Sequence, residues 1–244
     1  MKNTILILGA KSDIAISTAH QFANKGYSLQ LASRECNSLI SFANEIKRKY
    51  LVQVNLIEFD VLDVDKHEDF ISNLPEVPKI VLCAVGLLGI QGKSEKNISD
   101  LILILKTNFE GPASILSLFA NIFEKLERGT IIGISSVAGD RGKVSNYIYG
   151  SAKSGFTAFL SGLRNRLSSK GVKVITIIPG PVRTKMTKNT KLPYFITAEV
   201  EDVSKSIYLA VKKNRDIIYV KPIWKLIMCF IKIIPELIFK KLKL

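Results

Sequence analysis

The feature that most constrains this chain is a regular exchange of short apolar, β-rich runs with longer helical patterns. The runs fall at Thr4–Leu8, Ser28–Ala32, Val54–Glu58, Lys79–Ala84, Thr130–Ile134, Val172–Ile178 and Ile217–Val220. Such alternation predicts parallel strands joined by right-handed helical crossovers. The runs are apolar at nearly every position, as strands become when helices cover both faces of a sheet. No repeat or low-complexity linker interrupts the series, and 244 residues suit one α/β domain able to bury a full core. The expectation is a doubly wound, seven-stranded parallel sheet over residues 1–220, followed by an amphipathic segment over residues 221–244.

The first strand leads through "ILILGAKSDIAIS" (residues 5–17) into a helix expected from about Ile14 to Lys25. Ile14, Ala15, Thr18, Ala19 and Phe22 recur there at helical spacing, and Gly26 stands at a natural C′ position. Asp13 precedes the first apolar turn and is the expected cap. The loop holds one glycine, Gly9, where a dinucleotide fingerprint has three. A helix N-terminus presented this way attracts phosphate whatever the glycine count, because its free N–H groups point outward.

The stretch "IIGISSVAGDRGKVSNYIYGSAKSGFTAF" (residues 131–159) carries the chemistry. Tyr149 and Lys153 lie four apart at the start of a helical pattern and share one face. Ser136 lies just past a strand end, thirteen residues before Tyr149. An ammonium beside a phenol favours the phenolate, so the spacing predicts a lowered Tyr149 pKa. Such a tyrosine exchanges a proton with an alcohol oxygen, and a serine hydroxyl steadies charge on the same atom.

These motifs resemble the short-chain dehydrogenase/reductase family over nearly the whole chain. "YGSAK" is similar to its Tyr-x-x-x-Lys, "ISSVAG" to its serine motif and "GAKSDIA" to its glycine loop. "FDVLD" matches the segment after the third strand, "NFEG" the assisting asparagine, and "PGPVRT" the loop over the nicotinamide. The resemblance implies a Rossmann-type fold, with Tyr149 as general acid/base and Lys153 tuning it and holding the nicotinamide ribose. Ser136 would orient the carbonyl and Asn108 would hold a water of the proton relay. By the same resemblance Gly9, Lys11, Ser12, Asp13 and Ile14 meet the cofactor from the first loop. Asp60 and Val61 flank adenine, and Pro179, Gly180, Val182 and Thr184 frame the nicotinamide. Where the family often has "NNAG" this chain has "CAVG" (residues 83–86), leaving Ala84 and Gly86 to give the backbone approach. Asp13 and Ala15 replace the second and third loop glycines. Asp13 is expected to turn inward as the helix cap, away from phosphate.

Members of the family that use NAD typically place an acid at the end of the second strand. Here Ser33 occupies that position and Arg34 follows, with Lys11 adding charge, which favours NADP(H) over NAD(H). The net charge of +14 does not point to nucleic acid, because the lysines are scattered and no basic–aromatic pattern accompanies them. An anionic membrane or a phosphorylated substrate accounts for the sign as well. Cys36, Cys83 and Cys229 are far apart, with no metal spacing, and read as reduced thiols of a cytosolic protein. The N-terminus does not read as a signal peptide.

The segment 221–244, "KPIWKLIMCFIKIIPELIFKKLKL", is mostly apolar, with Lys225, Lys232, Glu236 and Lys243 within about 40° of one another on a helical projection at ~100° per residue. It lacks the ~18 uncharged residues needed to span a bilayer, and Pro235 divides it. It is expected to lie on the inner face of the membrane, with the alternative that it packs on the domain or on a sister subunit of a homodimer or homotetramer. Lys185, Lys188 and Lys191, in the loop after Thr184, are candidates for a phosphate. With the "GLLGIQ" and "LGAKSDIA" stretches, these features resemble the subgroup containing decaprenylphosphoryl-2-keto-ribose reductase, implying a lipid-linked keto-sugar. A general lipid, ketone or acyl-chain reductase and a non-catalytic dinucleotide sensor are the other readings.

Overall fold

The structure, a computed structural model, describes residues 3–188 and 194–242. All seven apolar runs form strands: β1 Thr4–Leu8, β2 Ser28–Ser33, β3 Val54–Glu58, β4 Ile80–Cys83, β5 Gly129–Ile134, β6 Val172–Pro179 and β7 Ile217–Val220. They pair in parallel in the order β3-β2-β1-β4-β5-β6-β7. The expected bounds shift by a residue at most. β2 and β6 run one residue further, to Ser33 and Pro179, which places both residues at the strand ends where the cleft opens.

Among the described residues ten α-helices connect and flank the strands: α1 Asp13–Ala23, α2 Ile40–Tyr50, α3 His67–Ser72, α4 Gln91–Ser94, α5 Ile98–Leu105, α6 Gly111–Lys125, α7 Tyr147–Leu167, α8 Val200–Lys212, α9 Ile223–Ile233 and α10 Glu236–Phe239. Side chains alternate across a strand, so β1 feeds two cores. Ile5 and Ile7 pack with Ala15, Ala19 and Phe22 of α1 and with Val203 and Ile207 of α8. Leu6 and Leu8 pack with Leu116 and Phe119 of α6 and Phe156 and Leu160 of α7. Helix α1 ends at Ala23, earlier than its spacing suggested, and Gly26 takes φ +77° two residues beyond the cap Asn24.

Residues Ile98–Lys125, helices α5 and α6 with a π-turn at Lys106–Glu110 between them, are long and apolar enough to cross a membrane. Ile115, Leu116, Phe119 and Phe123 are instead buried in the second core, so the stretch is a crossover helix. The strand order reverses between β1 and β4. In such sheets the crevice beyond the strand ends at the reversal receives the ligand.

The C-terminal segment divides at Pro235, as expected. It does not present one polar face. Trp224 and Met228 of α9 are buried against Val137 and Ile178, so one face packs on the domain. Lys232 turns to Asp140 (3.7 Å) and Glu236 to Arg141 (2.9 Å), while Lys225 stays exposed. The break at Pro235 rotates α10 off the register of α9, and Lys243 lies outside the described residues.

Candidate active site

The turn after β1 shows what one glycine accomplishes. Gly9 adopts φ +81°, and a Cβ there would stand 3.0 Å from both the Val85 nitrogen and Cγ2. The first loop therefore passes tightly over the end of β4 and leaves the N-terminus of α1 facing the crevice. The cap is Ser12, not Asp13. Ser12 is the last extended residue (φ −72°, ψ 147°), and its Oγ accepts from the Ala15 N–H at 3.2 Å. Asp13 is already helical, one residue too far along to cap. Its carboxylate accepts from the Lys185 N–H at 2.7 Å and lies 3.6 Å from Lys185 Nζ, tying the loop after β6 to α1.

At the end of β2, the Ser33 hydroxyl is buried, has no partner and lines the crevice. Arg34 is exposed at the rim. A carboxylate does stand nearby: Glu35, in the left-handed region at φ +51°, pairs with Lys11 at 2.9 Å. Lys11 is thus matched by Glu35 rather than free to add charge, and Arg34 is the cation left at that edge. The Glu58 carboxylate fixes this turn by accepting from the Glu35 and Cys36 N–H groups at 2.7 and 2.9 Å. Asp60 accepts from the Leu62 N–H at 3.0 Å, and Asp60, Val61, Ala84 and Gly86 all line the crevice.

Beyond β5 the two serines separate in role. Ser135 is buried, its Oγ donating to the Lys153 carbonyl at 3.1 Å and meeting Thr157 Oγ1 at 2.6 Å. Ser136 faces the crevice and begins a 3₁₀ turn (Val137–Gly139), its Oγ accepting from the Ala138 N–H at 3.1 Å. That turn rests directly on α7 through two glycines. A Cβ on Gly139 would stand 2.7 Å from the Ser154 nitrogen, and one on Gly150 would stand 2.7 Å from the Ala138 carbonyl oxygen.

Helix α7 brings Tyr149 and Lys153 to the crevice wall as their spacing predicted. Lys153 is buried, its Nζ donating to the Ile134 carbonyl at 3.0 Å and lying 5.7 Å from the centre of the Tyr149 ring. The expected lowering of the Tyr149 pKa is reversed. Protein crowding pushes the phenol up to about 12, against a smaller downward pull from the Ser136 hydroxyl. Burial likewise holds Lys153 down to about 8. The sequence showed the pair but not the desolvation, which here sets the direction of both shifts.

Asn108 is fully buried in the π-turn between α5 and α6. Its amide donates to the carbonyls of Leu87 (2.7 Å) and Ile104 (2.8 Å), and its Oδ1 accepts from the Leu87 N–H at 3.2 Å. Both amide protons are engaged by backbone, so the side chain holds the loop after β4 in place. A Cβ on Gly86 would stand 3.3 Å from Asn108 Oδ1 and 3.7 Å from Lys153 Nζ.

The loop after β6 closes the other side. Pro179, Gly180, Val182 and Thr184 line the crevice, and Val182 bridges to Ala198. A Cβ on Gly180 would fall inside the indole of Trp224, whose Nε1 donates to the Ile196 carbonyl at 2.8 Å. Trp224 was not anticipated in the site, because no motif marks it within the apolar segment. Lys143, Asn146 and Val85 were also missed: Val85 lies within "CAVG" and the other two between Ser136 and Tyr149, at positions the motifs do not mark. Lys185 lines the crevice, Lys188 is exposed, and Lys191 lies outside the described residues.

The crevice encloses about 1020 Å³. A glycine-pinched turn at a helix N-terminus and an unpaired hydroxyl at the end of β2 suit an extended dinucleotide, and Ser136, Tyr149 and Lys153 stand at the opposite end. Cofactor and reacting carbon thus share one cleft, which defines the class as a nicotinamide-dependent oxidoreductase. Residues 3–194 match the profile of the family described as short chain dehydrogenase, and the chain belongs to that family as an NAD(P)-dependent enzyme. It is 32% identical over 199 residues to an uncharacterized oxidoreductase of Mycobacterium tuberculosis, covering 80% of each chain. It is 30% identical over 189 residues to an NADP-dependent 3-hydroxy acid dehydrogenase of Schizosaccharomyces pombe, covering 75% of this chain and 73% of that one. Among solved structures, a short-chain dehydrogenase from Sphingobium yanoikuyae in complex with NADPH superposes with TM-score 0.81 at 21% identity, covering 96% of each chain.

Proposed function

We propose that the chain reduces a ketone to a secondary alcohol, or runs the reverse, using NADP(H) in preference to NAD(H). The observation that carries this is the joint placement of Ser136, Tyr149 and Lys153 at one end of the dinucleotide cleft. A bound nicotinamide supplies the hydride. The raised pKa keeps Tyr149 protonated at neutral pH, so in reduction its phenol gives a proton to the developing alkoxide. The Ser136 hydroxyl hydrogen-bonds the same oxygen, and Lys153 carries positive charge beneath the tyrosine. A binding-only sensor would have no use for a buried lysine held at this distance. Tyr149→Phe should lower kcat by about 10²–10⁴-fold with NADPH affinity unchanged; retained turnover would refute the assignment. The NADP(H) preference rests on Arg34 and the Ser33 hydroxyl at the end of β2, and the names of the S. pombe relative and the NADPH complex support it.

The substrate end of the cleft is walled by Leu87, Leu88, Leu103, Met186 and Trp224. This favours a carbonyl carried on an apolar chain, whether a lipid-linked keto-sugar or an acyl-chain ketone.

We further propose that the enzyme works in the cytoplasm at an anionic membrane surface, as a homo-oligomer. Leu226 (55% exposed), Phe230 (62%) and Ile233 (69%) form an apolar stripe along α9, and Leu237 (74%) is exposed on α10, with Lys225, Lys240 and Lys241 exposed on the same segment. Apolar side chains ringed by lysines match acyl chains beneath anionic headgroups. Phe230→Ser with Leu237→Ser should abolish sedimentation with phosphatidylglycerol vesicles. A changed molar mass in place of vesicle release would assign the stripe to a second copy. Ile98, Ile102 and Phe109 are exposed along the first turns of the crossover helix and suit a subunit contact, for which light scattering gives the stoichiometry.

A further inference from the structure

Two polar groups in the cleft wall lack a counterpart, and neither belongs to the machinery described above. Lys143, on the turn between Ser136 and α7, lines the cleft. Its side chain is partly buried and makes no hydrogen bond or ion pair among the described residues. Burial alone holds its ammonium below the usual lysine range. Three residues on, Asn146 lines the same cleft, and its Oδ1 is buried without a partner among the described residues. Removing an ammonium or an amide from water without compensation is unfavourable, so native interiors seldom keep such groups unless something else satisfies them. Two of them on one short turn, facing one cleft, indicate that the ligand supplies the partners.

The surroundings decide the sign of that ligand. Among the described residues the carboxylates lining the cleft are Asp13, Glu35 and Asp60, at the start of α1 and in the turns after β2 and β3. The turns after β4, β5 and β6 contribute none. The turns after β5 and β6, with helix α7, contribute lysines: Lys185, matched by Asp13, Lys153 on α7, which donates to the Ile134 carbonyl, and Lys143, which has no partner among the described residues. Among the described residues the far half of the cleft therefore carries positive charge, and Lys143 is a cation there without a partner.

We infer that Lys143 binds an anionic group of the substrate, with Asn146 hydrogen-bonding beside it. The substrate is a keto or hydroxy compound bearing a carboxylate or a phosphate, its apolar part lying against Leu88, Leu103 and Met186. This rests on the carbonyl-reductase reading for the word substrate, but the anion site itself does not require turnover.

The test therefore measures binding and turnover separately on the NADP⁺- or NADPH-loaded full chain. The probes are 4-oxononanoate and its methyl ester, and dihydroxyacetone phosphate and dihydroxyacetone. Calorimetry should show the wild type binding at least one anion about 30-fold more tightly than its neutral partner. Lys143→Gln should erase that difference and Lys143→Arg should keep most of it, with melting temperatures unchanged. The pair showing the larger ratio separates a carboxylate site from a phosphate site. Equal binding of both anions and their neutral partners, or a preference that survives Lys143→Gln, would overturn the anion site. Anion binding through Lys143 without oxidation of NADPH would leave the site standing and count against the reductase reading.

Discussion

Replacing Gly139 by alanine tests whether the seating of the Ser136 turn on α7 sets the reactive geometry. The added methyl would stand 2.7 Å from the Ser154 nitrogen and 2.8 Å from the Lys153 carbonyl carbon, both main-chain atoms inside a helix. Neither neighbour can swing aside as a side chain would. Ordinary carbon contacts need about 3.5 Å or more, so the turn has to lift by roughly 0.5–1 Å. Overpacking of this kind costs about 1–3 kcal/mol. For a domain of this size that lowers Tm by about 2–4 °C per kcal/mol. The larger effect falls on catalysis, because the lift moves Ser136 away from Tyr149, and a misplacement of about 1 Å can cost 10²-fold in rate. The assay is steady-state NADPH oxidation at 25 °C, where Gly139→Ala remains folded, alongside a melt and an NADPH titration. Expected are a kcat reduced by one to two orders of magnitude, a modestly lower Tm and unaltered NADPH binding. Wild-type kcat with wild-type Tm would show that the turn has slack, and the reasoning from close approach would fail.

Lys153 binds its proton less readily folded (about 8) than unfolded (~10.4), so between those values the unfolded chain holds more protons and stability rises with pH. Tyr149, raised to about 12, acts oppositely above pH ~10, where the unfolded chain ionises first. Urea midpoints for wild type should therefore climb from pH 8 to 9.5 and flatten in Lys153→Met; an unchanged slope in the variant would remove Lys153 as the cause. Arg34→Ala should weaken NADPH binding about tenfold or more and leave NADH binding nearly constant, as fluorescence titration would show; equal losses for both would place Arg34 outside the 2′-phosphate site. Arg141→Ala should speed tryptic cleavage after Lys232, since Arg141 donates to the Ile231 and Ile234 carbonyls, the latter at 2.7 Å, and stacks 3.7 Å from the Phe239 ring. Cleavage at the wild-type rate would mean these contacts do not hold the tail.

The strands were legible because a doubly covered parallel sheet demands largely apolar runs, and the seven runs keep to that rule apart from single positions such as Gln30, Asn55 and Lys173. Ser136, Tyr149 and Lys153 were legible because helix spacing places the last two together and a strand end delivers the first. Asp13 was misread by one residue of helix register, which propensity does not resolve, since serine and aspartate cap equally well. The ionisation of Tyr149 was misread because pairing is visible in a sequence and desolvation is not. Lys11 was credited with free charge because Glu35 reaches it only through a left-handed backbone turn at the end of β2. The place of Trp224 was not legible because nothing in its neighbours announces that Gly180 leaves room for an indole.

The guanidinium of Arg141 changes how the last twenty residues should be regarded. The final carbonyls of α9 have no partner in their own helix, and they are received by a side chain from the turn that carries Ser136. The helix end is thus completed by the body of the enzyme, ninety residues away in sequence. Cutting the chain before Ile223 would uncover Val137 and Ile178 and leave the largely buried Arg141, on the turn that follows Ser136, without the carbonyls it serves. The C-terminal segment is therefore not a detachable tether. It is the last wall of the catalytic chamber, and a truncated enzyme should lose its chemistry along with its tail.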